Sequence, residues 1–108
     1  MKLHEMSPDQ ILAELEARSD LYVTAAEQEA RAEAAHKSLE AAMYKAYRAH
    51  GDSVKDSEMA VRCEESVKQS VDDLITKQTT ALRCKAAVER AKIATELYRT
   101  IRADQRRV

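Results

Sequence analysis

The sequence of this chain predicts an all-α fold: an antiparallel, coiled-coil-like two-helix hairpin that dimerises into a four-helix bundle. Three observations predict it. First, helix-breaking residues are almost absent. Gly51 is the only glycine and Pro8 the only proline among 108 residues. Glycine supplies the positive φ that ends a helix, and proline is tolerated only in a helix's first turn. Second, Ala, Glu, Lys, Arg and Leu dominate, 34% of residues are charged, and Trp and Phe are missing. That is the usage of long helices meeting through small side chains. Third, apolar residues recur at steps of three and four, as a coiled-coil seam requires.

Each element follows in order. Residues 1–7 form an arm. Ser7 caps helix 1, Pro8 takes its first position, and Gln10 completes a capping box, with Met6 and Ile11 at the flanking staple positions. Helix 1 is predicted over 8–49, about 60 Å long. Residues 50–53 turn at Gly51. Ser53 caps helix 2, with Asp56 in its first turn, and the helix is predicted over 54–104 as one piece. Residues 105–108 are expected to fray. The whole chain reads as one domain.

The helix 2 seam reads Cys63, Val67, Val71, Leu74, Gln78, Ala81, Cys84, Val88, Ala91, Ala94, Tyr98 and Ile101. The helix 1 seam reads Ile11, Leu15, Arg18, Tyr22, Ala25, Glu29, Ala32, Ala35, Leu39, Met43 and Ala46, with Arg18 and Glu29 as polar interruptions. Folding at Gly51 puts Ile11 opposite Lys92, with Tyr98 and Ile101 extending past Pro8 under Leu3 and Met6. Leu12, Val23, Tyr47, Val61, Leu82 and Ile93 fall off both seams and imply a second apolar face. A lone pair of helices buries little for the entropy it loses, so the hairpins are expected to pair. Val67, Val71, Leu74, Val88, Tyr98 and Ile101 are the candidate interface with a second copy or a partner.

Charge is polarised although the net is −1. Residues 1–35 carry three basic and eight acidic side chains; residues 83–108 carry eight basic and three acidic. These segments lie side by side in a hairpin, although each exposed pair is worth only about 0–1 kcal/mol. Arg99, Arg102, Arg106 and Arg107 are the candidate nucleic-acid contacts, because guanidinium groups suit phosphate. The competing reading is that they balance the acidic start of helix 1 and the helix 2 dipole.

Enzymatic chemistry is not expected. The histidines His4, His36 and His50 are scattered and no metal-ligand spacing exists. Glu64-Glu65 and Asp72-Asp73 read as exposed faces, and there is no glycine-rich phosphate loop. No catalytic residue, metal site, cofactor or small-molecule substrate is expected. Cys63 and Cys84, about 30 Å apart along one helix, read as small buried side chains. No apolar run approaches the roughly 20 residues of a membrane helix, and Met1–Met6 lacks a signal peptide's core. A cytoplasmic location follows as the expectation.

Lys45-Ala46-Tyr47, Gly51, Ser53-Val54-Lys55-Asp56 with Glu58, Glu89-Arg90-Ala91-Lys92 and Leu97-Tyr98-Arg99-Thr100-Ile101-Arg102 carry a resemblance. Over about residues 40–105 the chain resembles small alanine-rich helical accessory proteins of tailed bacteriophages. Ser53 and Asp56 stand where that group more often has Thr and Glu. The resemblance implies an adaptor in the bacterial host cell that binds another phage or host protein, linked to DNA recombination or replication. Alternatives are direct DNA or RNA binding through the arginine-rich segment, and inhibition of a host enzyme.

Overall fold

The computed structural model describes residues 6–107, Arg107 by its backbone alone. The expected roles of Leu3 and His4, and of the Arg107 side chain, lie outside the described residues. All regular structure among them is helical: α1 (Pro8–Ala49), α2 (Val54–Cys63) and α3 (Glu65–Arg107). Among the described residues no helix is long and apolar enough to cross a membrane.

The caps explain where the helices begin. The Gln10 amide donates to Ser7 Oγ at 3.2 Å, and the Ser7 amide donates back to Gln10 Oε1 at 2.8 Å. That is a complete capping box. Ser53 is extended and its Oγ accepts from the Asp56 amide at 3.1 Å, so α2 starts with one orphan donor satisfied.

The end of α1 is equally specific. Gly51 has a φ of 104°. The Asp52 amide donates to the Tyr47 carbonyl at 3.2 Å, and the Gly51 amide to the Arg48 carbonyl at 3.1 Å. These two bonds define a Schellman motif, in which the residue after the cap must adopt positive φ. Arg48 also donates to the Asp52 carbonyl at 3.0 Å, tying the turn to the last helical turn.

One expectation is corrected here. Residues 54–104 do not form one helix. The chain breaks at Glu64, with φ −64° and ψ 129°. The Glu64 amide falls back to the Val61 carbonyl at 3.2 Å, and the Glu64 carbonyl accepts from the Lys68 amide at 3.0 Å. Glu64 therefore closes α2 and opens α3. No Gly or Pro lies nearby; at the break the Glu64 carboxylate accepts from the Tyr47 hydroxyl on α1. α3 also runs past residue 104, to Arg107. The adjacent Thr79 and Thr80 leave it unbroken, and their hydroxyls donate to the Ile75 and Thr76 carbonyls.

The chain divides into two compact units: Met1–Ala25 with Ala81–Val108, and Ala26–Thr80. In the second unit, α2 and the start of α3 pack on α1. Ser57, Val61 and Val67 are buried there, with Tyr47, Ala60 and Leu74 half-buried. His36 Nδ1 lies 3.0 Å from Ser70 Oγ, and Tyr47 bonds Glu64, so the paired segments run antiparallel. In the first unit, Ile11, Ala25, Ala81, Val88 and Ala91 are buried. Arg18 reaches the Ala87 carbonyl at 3.5 Å while Ile11 lies beside Ala91, Ala94 and Thr95, again antiparallel.

The side chains that meet differ from the expected seams. His36 and Tyr47 are half-buried, while Ala35 and Ala46 are exposed. Ser70 and Lys77 are half-buried, while Val71 and Gln78 are exposed. Tyr47 and Val61 belong to the packed side, not to a second apolar face. Cys63, expected to be buried, is exposed; Cys84 is half-buried.

Ser57 is fully buried, and its hydroxyl has no hydrogen-bond partner. A small residue there lets α2 approach α1 closely, but the hydroxyl's desolvation is uncompensated. Ser57→Ala keeps the small volume and removes that penalty. It is expected to stabilise the fold by about 1 kcal/mol in urea titration.

Candidate interaction surface

Two features stand out for function, one in each unit.

In the unit Ala26–Thr80, polar side chains cross between the helices. His36 Nε2 lies 2.7 Å from Glu40 Oε1, its neighbour one turn on, while Nδ1 faces Ser70. One imidazole thus joins a carboxylate on its own helix to a hydroxyl on α3. Tyr47 donates its phenol hydroxyl to Glu64 Oε1. That bond favours the protonated phenol and raises the Tyr47 pKa; burial and the nearby Glu64, Asp52 and Cys63 charges push the same way. Glu64 is therefore not the exposed carboxylate that the Glu64-Glu65 pair suggested. No signal in the sequence marks this pair, because it depends on the break that it stabilises.

In the other unit, Arg99, Arg102 and Arg106 line an open cleft of about 460 Å³, together with the apolar Pro8, Ile11, Leu12 and Leu15, the aromatic Tyr98 and the acidic Asp9. Arg102 stacks over the Tyr98 ring at 5.9 Å, a cation–π contact. The fold thus gathers three of the four arginines singled out by type. Tyr98 does not overhang Pro8 as the expected register had it; it lines the same cleft.

The candidate interface residues separate into two groups. Val67 and Val88 are buried by their own units, and Leu74 and Tyr98 are half-buried. Val71 and Ile101 remain exposed. Three further α3 side chains are exposed: Leu82 at 67%, Ile93 at 59% and Leu97 at 56%. At 3.6 residues per turn these three share one side of α3, away from Ala81, Val88 and Ala91. Leu82 and Ile93 fall outside the apolar seam in the sequence for this reason.

Among the described residues no three His, Cys, Asp or Glu side chains gather as a metal site requires. No protein-family model, curated protein or solved structure matches this chain.

Loss of the Tyr47 hydroxyl gives a pH-dependent test. A pKa raised by folding contributes stability that is intact below about pH 10 and disappears as pH climbs through the raised value. The melting temperature of the wild type is expected to fall more steeply between neutral pH and pH 11 than that of Tyr47→Phe. Parallel curves from thermal melts would show that the bond carries no stability.

Proposed function

We propose that this chain is a non-enzymatic accessory protein that acts by protein–protein contact. In this reading it is an antiparallel helical hairpin that pairs with a second copy as a four-helix bundle, and so presents a surface to another protein. The resemblance of residues 40–105 to phage accessory proteins supports a role in a bacterial host's cytoplasm, beside recombination or replication machinery.

The observation that carries this reading is the exposed row of Leu82, Ile93 and Leu97 on the side of α3 turned away from the chain's own packing. Exposed large apolar side chains gathered on one side of a helix suit an interaction site, here with Glu89 between Leu82 and Ile93. Covering each side chain is worth roughly 1 kcal/mol, allowing for the area already buried. Doubled in a symmetric pair, and joined by Leu12, Val23 and Ile101, this reaches the order of the cost of association. Light scattering coupled to size exclusion, over a concentration series, is expected to give twice the chain mass. A monomer at every concentration would reject self-association.

A second reading is favoured by one observation, the gathering of Arg99, Arg102 and Arg106 along the cleft. Those side chains suit nucleic-acid phosphates, and binding through them would weaken steeply with salt. A mobility shift of short duplex or single-stranded DNA at low salt, lost in Arg99→Ala/Arg102→Ala/Arg106→Ala, is its expected signature. No shift at low salt from folded protein would reject it.

A further inference from the structure

Two stripes of opposite net charge, each carrying exposed apolar side chains, lie in the unit Met1–Ala25 with Ala81–Val108, and Leu12 of the α1 stripe also borders the cleft. On α3, Leu82, Ile93 and Leu97 form the first stripe. Arg83 and Arg90 flank it on one side, and Lys85 and Lys92 on the other, all exposed. Glu89 and Glu96 fall within the stripe, outnumbered by the four bases. On α1, Leu12 at 54% and Val23 at 56% exposure form the second stripe. Glu16 lies between them and Asp20 beside them, both exposed. The spacing from Leu12 to Glu16 to Ser19 to Val23 is four, three and four, a continuous helix face. Ile11 and Ala25 point elsewhere, into the buried side.

We infer that the acidic α1 stripe of one copy packs on the basic α3 stripe of a second copy, and that a two-fold axis makes this contact twice. The inference rests on the self-association proposed above and specifies its surface. Charge complementarity selects the occupant. Each copy carries both halves of the contact, so one two-fold axis relates the α1-on-α3 contact to its reciprocal and limits the assembly to two chains. An acidic foreign partner on α3 would leave the α1 stripe uncovered. Pairing α3 with α3 would set the basic flanks against each other, which is unfavourable.

The test uses two full-length variants at exposed positions. One is Glu16→Lys/Asp20→Lys; the other is Lys85→Glu/Lys92→Glu. Each alone puts like charges across both contacts and is expected to raise the dimer dissociation constant about tenfold or more, by sedimentation equilibrium at low salt. Mixing the two is expected to restore affinity near that of the wild type, as a heterodimer visible by native mass spectrometry. Circular dichroism checks the fold of each. If a reversal unfolds the chain, Glu16→Gln/Asp20→Asn and Lys85→Gln/Lys92→Gln replace it; each is expected to flatten the salt dependence of dimerisation. A wild-type monomer would overturn the inference together with the self-association reading. A wild-type dimer with variants that associate unchanged, or that do not rescue each other, would overturn this arrangement alone. So would weakening by the α3 variant without any by the α1 variant, which would point to an α3–α3 contact.

Discussion

Small side chains at the helix contacts constrain everything else in this protein. Ala25, Ser57, Ala81 and Ala91 are buried, and neither Phe nor Trp exists in the chain to fill a wider gap. Only seven apolar side chains among the described residues are buried, and three are alanine. Such contacts let backbones approach closely but remove little apolar area from water per residue ordered. Ile11, Val61, Val67 and Val88 are the larger buried side chains, while Leu82, Leu21 and Ile93 stand outside the packing and supply exposed apolar surface.

With so little apolar patterning on the packed side, polar contacts hold the register. Arg18 reaches a carbonyl on α3 while its Nε is held by Glu14 at 2.8 Å. His36 spans Glu40 and Ser70, and Tyr47 meets Glu64. Sliding either helix by one residue would turn each of these groups away from its partner and leave it half-buried and unpaired, which costs more than the bond contributes. An alanine-rich face by itself tolerates slippage; these side chains do not.

Much of this was legible from residues alone. The all-α class followed from composition and sparse punctuation, and the capping chemistry of Ser7, Gln10, Gly51 and Ser53 could be read position by position because it is local. The seams were legible only in part. Reading them by hydrophobicity favours Val71 over Ser70, Gln78 over Lys77 and Ala35 over His36, yet the structure packs the second of each pair. His36 and Ser70 meet because each satisfies the other, and no single-chain pattern encodes a partner 34 residues away. The break at Glu64 was illegible for the same reason. Glutamate is a good helix former, and the Tyr47 hydroxyl that Glu64 meets at the break lies on another helix. The grouping of Arg99, Arg102 and Arg106 was readable from spacing, whereas the apolar residues that share their cleft required the register.

The interruption at Glu64 also changes how the chain comes apart. α2 is ten residues long, shorter than an isolated helix needs to persist in water, so its helicity depends on Ser57 and Val61 staying packed. A continuous ladder would let fraying that begins at the Gly51 turn travel onward one bond at a time. Here the ladder stops at Glu64, and α3 restarts it with its own nucleus. The turn and α2 thus form a small cooperative unit that can open and reclose, with amide exchange rates of its own, while α3 keeps its hydrogen bonds.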